Sequence, residues 1–112
     1  MPQKEKRKFP RINVNFPIRY KAKRGNFSVK AKSYDLSIGG IRLVSDRLFP
    51  LGTNVQLELN ILSRVISPII GAVVWSDLLP YSGKYQMGVE FLQVKLEDKG
   101  QIADYINLHA LL

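Results

Sequence analysis

The sequence predicts a mostly β chain: a six-stranded antiparallel β-barrel with a flexible basic N-terminal arm and a C-terminal α-helix. Three observations predict it. Apolar and polar residues alternate over several short segments, turn-forming residues separate those segments, and only the C-terminal stretch lengthens its apolar spacing to a helical period. At 112 residues, with 46% hydrophobic and 23% charged side chains, the chain can bury one core but not two, so a single domain over 1–112 is expected.

Residues 1–11 are polar and basic without apolar periodicity, which predicts a flexible arm. Pro10 disfavours helical geometry at Phe9, so Arg7 and Arg11 are not expected to share a helix face. In an extended segment their Cα atoms lie roughly 13 Å apart, at about 3.3 Å per residue. From Ile12, alternation places Ile12, Val14, Phe16, Ile18, Tyr20 and Ala22 on one face and Asn13, Asn15, Arg19 and Lys21 on the other, a half-buried strand with an edge or bulge at Pro17. Arg24-Gly25-Asn26 is turn chemistry, and a second strand is expected from about Phe27 to Tyr34.

Asp35 to Gly40 interrupts the pattern and is expected to connect two strands, with Ile41 to Val44 resuming as a short one. Ser45 to Asn54 reads as a longer loop, and Val55, Leu57, Leu59 and Ile61 alternate as the next strand. Val65 to Asp77 is a long β-branched run, with Pro68 marking an edge or bend near its start. Leu79 to Gly83 is hairpin-like, and Tyr85, Met87, Val89 and Phe91 alternate as the last strand, so the barrel is expected over 12–92. Over 95–111 the period becomes helical, with Ile102, Ile106 and either His109 or Ala110 on one face. Glu97 and Asp98 suit a helix N-terminus, whereas Gly100 weakens a helix by roughly 1 kcal/mol relative to Ala. This helix is expected to cover an opening of the barrel.

The net charge of +8 is localised. Residues 1–32 hold 11 of the 17 Lys and Arg but only one of the 9 acids, Glu5, and the remainder of the chain carries a net −2. A positive region so concentrated favours encounter with phosphorylated ligands, polyanions or acidic membranes. The chain has no cysteine, no run of eighteen apolar residues, and no hydrophobic segment after Met1 to Lys6 that would make a signal peptide, so a cytoplasmic address without a membrane span is expected.

Two short motifs carry the candidate chemistry. Arg7 and Arg11 supply guanidinium groups, and Asp35-Leu36-Ser37-Ile38-Gly39-Gly40 supplies a carboxylate, a hydroxyl and two glycines where a backbone can approach a ligand closely. Together they resemble the two-part signature of the PilZ domain family, Arg-x-x-x-Arg followed by Asp/Asn-x-Ser-x-x-Gly. The match holds at all five positions: Arg7, Arg11, Asp35, Ser37 and Gly40. The runs Val73-Val74-Trp75 and Gly88-Val89-Glu90-Phe91 and the closing helix are similar to the family as well. PilZ domains are bacterial sensors of the second messenger cyclic di-GMP, so the resemblance implies a ligand-binding receptor and not an enzyme, with no cofactor beyond that ligand.

Arginine suits such a ligand because it donates bidentately to guanine O6 and N7, stacks on a base, and pairs with phosphate. The resemblance therefore implies that Arg7 and Arg11 fold over the ligand as it binds. Asp35 either accepts from the N–H groups of a guanine edge or bonds its own backbone as a turn residue. Ser37 either donates to the ligand or stabilises the turn, and Gly39 and Gly40 provide positive φ, close ligand approach or a tight strand entry. Trp75 is either a stacking platform for a base or a core residue, and Gly88 leaves room near the same wall. Lys6 and Arg42 are supplementary phosphate partners.

Enzyme readings have little support. His109 is the only histidine, the acids Glu58, Asp77, Glu90 and Asp104 are scattered, and neither a phosphate-cradling glycine loop nor a nucleophile elbow occurs. Since no second domain is visible in the sequence, the signal is expected to pass to a separate effector protein. Two alternatives remain open at this point: a basic barrel that binds single-stranded nucleic acid, and a PilZ-like interaction module without a ligand. The aromatic residues mostly follow core parity, which counts against an open nucleic-acid stacking face.

Overall fold

The computed structural model describes residues 11–22 and 29–110. Its elements are β1 (Ile12–Asn13), β2 (Pro17–Ala22), β3 (Val29–Ser37), β4 (Gly40–Ser45), β5 (Asn54–Ile61), β6 (Arg64–Leu79), β7 (Lys84–Gln93) and α1 (Leu96–Ala110). Every strand pairing is antiparallel, in the order β1-β3-β2-β5-β6-β7-β4, and a further pairing of β3 with β4 closes the sheet. Strands β1 and β2 pair with successive parts of β3, Leu36–Asp35 and Lys32–Val29, and so form one interrupted stave of a six-stave barrel.

The single strand expected from Ile12 to Ala22 is thus divided, and the residues explain why. Pro17 has no N–H for a ladder and opens β2. In the gap the Phe16 N–H donates to Ser33 Oγ at 2.7 Å, while the Ser33 hydroxyl donates to the Phe16 carbonyl at 2.8 Å. The Val14 N–H reaches the Tyr34 carbonyl at 3.0 Å and the Ser33 N–H reaches the Phe16 carbonyl at 3.1 Å, so the break stays tied to β3.

A second correction concerns Asp35 to Gly40, expected as a connection. Strand β3 continues through Ser37, and only Ile38 and Gly39 turn before Gly40 opens β4 opposite Ser37. The segment is the end of a hairpin, not a loop. The turn expected at Arg24-Gly25-Asn26 lies outside the described residues, as does the start of the second strand at Phe27. Strand β6 is longer than expected at both ends and contains Pro68. There Leu57 faces Ile69 while Leu59 faces Ile66, so β6 carries an extra residue and the proline sits in a bulge.

The barrel interior is filled by alternate residues of every stave, among them Ile18, Tyr20, Leu36, Ile41, Leu43, Leu57, Leu59, Ile69, Val73 and Met87. Helix α1 spans Gly100 without a break and lies against β1 and β3. It adds Ile102 and Ile106 to the core, each worth roughly 1.5–3 kcal/mol of apolar burial. Tyr105 meets Phe16 edge to face at 6.1 Å, and His109 is half-buried with Nδ1 3.0 Å from the Tyr105 carbonyl.

Tyr20 is buried in this core with its hydroxyl 2.8 Å from Ser45 Oγ and 3.2 Å from the Arg47 carbonyl. Desolvation raises its pKa above the ordinary 10.0. Neutral Tyr20 therefore contributes stability fully below pH 10 that is lost as pH rises through the raised folded value. Tyr20→Phe should cost about 1 kcal/mol near neutrality. Thermal melts taken from neutral pH to beyond 10 should then fall more steeply for the parent than for the variant.

Candidate functional site

Cross-strand register assembles the site on the outside of the barrel. Asn13 of β1 faces Asp35 of β3, Asp35 faces Arg42 of β4, Arg42 faces Gly88 of β7, and Gly88 faces Trp75 of β6. Directly paired residues share a face, so these form one row, while the adjoining row of Leu36, Ile41, Val89 and Val73 points into the core. The row is bulged at both ends. An extra residue, Tyr34, enters β3 between Ser33 and Asp35, and another, Val74, enters β6 between Val73 and Trp75. Each bulge shifts the alternation by one, which brings Asp35 and Trp75 to the outer face.

Asp35 is the centre. Its Oδ1 accepts from Arg11 Nη1 at 2.6 Å and its Oδ2 lies 2.8 Å from Arg42 Nε, so one carboxylate bridges two guanidinium groups, one from the segment leading into β1 and one from β4. The Arg42 contact is an ion pair without hydrogen-bond alignment, leaving the buried Nε–H unsatisfied among the described residues. The arginines cover the carboxylate, leaving Asp35 only 8% exposed, while about a third of each guanidinium side chain stays in solvent. Among the described residues neither guanidinium has a further hydrogen-bond partner, so both keep N–H donors available beside a fixed anchor.

The remaining predicted residues fall as follows. The Ser37 hydroxyl serves the hairpin: it accepts from the Gly39 N–H at 3.3 Å and faces the Gly40 carbonyl at 3.4 Å. Neither Gly39 nor Gly40 takes positive φ, which removes one of their three expected roles. Gly40 is required for close strand approach, since a Cβ there would lie 2.5 Å from the Val89 carbonyl oxygen. Trp75 is not a core residue: it is 38% exposed and its indole lies on Gly88, where a Cβ would fall 2.0 Å from Nε1. Arg7 and Lys6 lie outside the described residues.

The sequence reading passed over Tyr34. Half-exposed by its bulge, it holds its ring 4.0 Å from the Arg42 guanidinium carbon, a cation–π contact that braces the arginine in addition to its ion pair with Asp35. The signal was present in the spacing. Ala31 and Ser33 keep one parity and Leu36 resumes the other, a slip that only an extra residue can accommodate. Glu90 was also passed over as a site residue. It faces Gly40 on one side and Ala72 on the other, and with Ile38, Gly39, Phe91 and Lys99 it lines a cavity of about 430 Å³ beside the hairpin turn. Among the described residues, no group of three His, Cys, Asp or Glu side chains is placed to hold a metal, and no helix is long and apolar enough to cross a membrane.

Fold and site together define a closed antiparallel β-barrel with an acid–arginine cluster on its outer wall and a C-terminal helix packed against β1 and β3. The chain belongs to the PilZ domain family, whose sequence model matches residues 5–108. Solved structures show the same fold at low identity. The inhibitor of motility MotI/DgrA from Bacillus subtilis superposes with a TM-score of 0.79 at 23% identity, over 99% of this chain and 56% of that one. The PilZ domain of YcgR from Escherichia coli, solved with c-di-GMP, gives 0.73 at 17% identity over 94% and 92%. The MrkH–c-di-GMP complex from K. pneumonia gives 0.76 at 15% identity over 90% and 51%. The chain thus spans little more than half the length of MotI and about half that of MrkH. A search of curated proteins found no match.

Two substitutions test this geometry. Gly88→Ala should push the indole of Trp75, the sole tryptophan, off the barrel wall, seen as a red shift of its fluorescence without loss of the fold. Gly40→Ala meets backbone instead of a side chain and should destabilise the chain by about 1–3 kcal/mol in denaturant titrations.

Proposed function

We propose that this chain is a receptor for cyclic di-GMP that binds on the outer row centred on Asp35. The observation that carries the reading is the Asp35 carboxylate held at 2.6 Å by Arg11 and 2.8 Å by Arg42, in line with Gly88 and an exposed Trp75. An ionised carboxylate has about four acceptor positions, so two ion pairs leave capacity for the adjacent N–H donors of a guanine Watson–Crick edge. Adenine offers no such pair. The remaining N–H groups of Arg11 and Arg42 meet phosphate oxygens or guanine O6 and N7, and Trp75 offers a flat apolar face at the end of the row.

In this reading Arg7 and Arg11 act together. Arg11 is anchored to Asp35, and the segment before it, with Lys6 and Arg7, closes over the ligand. Ordering that arm costs something like 2–5 kcal/mol of the gross interaction. The ordered arm is then the surface that a separate effector protein reads. Gly39 and Gly40 keep the hairpin low beside the ligand, and Ser37 acts by holding that turn. Support for the ligand comes from the family, from the intact five-residue signature, and from relatives of the same fold solved with c-di-GMP.

Isothermal titration of cyclic di-GMP into the full chain tests the proposal, with GMP and a single-stranded oligonucleotide as comparisons. Saturable binding by the cyclic dinucleotide alone is expected. Arg11→Ala should weaken it by roughly 10- to 100-fold, the loss of one or two hydrogen bonds to a charged group. Asp35→Ala should abolish the preference for guanine over adenine dinucleotides. Absence of any heat with the cyclic dinucleotide would refute the proposal, and tighter, steeply salt-dependent binding of the oligonucleotide would replace it with a nucleic-acid-binding module.

A further inference from the structure

A second surface shares no residue with the one above. Where β5 turns into β6, Ile61 faces Arg64 across a two-residue turn of Leu62 and Ser63. Both turn residues have positive φ, 50° and 64°. Such turns are usually built from Asn and Gly, because left-handed backbone crowds a residue with a bulky side chain. Leucine is a poor choice for the turn itself, and it does not serve the core, since Leu62 is 68% exposed.

Beside this turn a groove of about 220 Å³ separates the hairpin from α1. Ile61, Leu62, Ile66, Tyr105 and Leu108 make its apolar lining. Of these, Leu62 and Leu108 are exposed, so the groove carries apolar surface open to solvent. The groove is also lined by Arg64 from the hairpin and Asp104 from the helix, and among the described residues neither has an ion-pair partner. Two opposite, unpaired charges thus flank one apolar centre.

We infer that this groove is a self-association site, occupied by the same groove of a second copy of the chain. A two-fold interface joins a patch to itself, so it requires a patch whose apolar centre meets its own image and whose cation meets its own anion. This one qualifies. Two-fold pairing across the groove brings Arg64 of each copy to Asp104 of the other and sets Leu62 and Leu108 against their counterparts. A partner of uniform charge would instead confront one of the two groups with like charge. With few apolar side chains and one charge pair per half, the dimer forms only at raised protein concentration.

Sedimentation equilibrium of the full chain tests this directly, with dimerisation expected between about 10 µM and 1 mM. Arg64→Glu and Asp104→Arg each place like charges at both pairs and should weaken the dimer by about tenfold or more. Mixed in equal amounts, the two variants should form a heterodimer. The carboxylate introduced at position 64 then meets the guanidinium introduced at position 104, and the native Asp104 and Arg64 form the other pair. Leu62→Asn should raise the melting temperature of the dilute chain by relieving the turn, yet weaken association, which a purely structural role for Leu62 would not produce. If a single reversal fails to fold, the double reversal, which restores complementarity, decides in its place. A parent chain monomeric throughout, association indifferent to both reversals, or a mixture that stays monomeric would overturn the inference.

Discussion

The arrangement depends on one carboxylate shared between two arginines. Asp35 sits on the outer wall of the barrel but is covered by its partners, Arg11 from the segment leading into β1 and Arg42 from β4. An uncompensated charge so placed would be costly, and the two guanidinium groups remove that cost by holding both oxygens. The same contacts tie the start of the described chain to the barrel and fix the direction of Arg42, which Tyr34 braces from its ring face. Structural anchoring and the proposed ligand recognition therefore use the same atoms. Adding a ligand to this cluster means engaging donors that are already oriented.

The barrel supplies the placement through its irregularities. Regular alternation would turn Asp35 toward the core, where a carboxylate has no partner. The extra residue Tyr34 reverses that parity, and Val74 does the same for Trp75 at the far end of the row. Between them Gly88 and Gly40 lower the wall, Gly88 under the indole and Gly40 against the Val89 carbonyl. The site is thus a shallow surface made by two bulges and two glycines, with charge concentrated on one side. The groove at the β5–β6 turn is built differently, from an exposed leucine in left-handed backbone and a seam between hairpin and helix.

Much of this was legible in the sequence. The staves from Ile12, Val55 and Tyr85 follow their alternation, and Ile102 and Ile106 pack as the helical period requires, because burial of one face dictates each pattern. The family signature located Asp35, and the charge asymmetry pointed to the end that carries Arg11. What escaped detection were the departures from period. Asp35 to Gly40 reads as a loop because its alternation slips, although the backbone stays in strand geometry through Ser37. Arg42 and Trp75 were placed as secondary contacts, since nothing local to either shows that register sets them in line with Asp35. Tyr34 and Glu90 gain their positions only from partners distant in sequence.

Titration of the isotopically labelled chain with cyclic di-GMP, followed by heteronuclear NMR, tests the central claim most directly. The account predicts that resonances of Arg11, Asp35, Arg42, Gly88 and the Trp75 indole shift together and saturate at one endpoint, while those of Leu62 and Leu108 stay in place. Saturable shifts that cluster elsewhere on the barrel, or none along this row at full ligand excess, would contradict it.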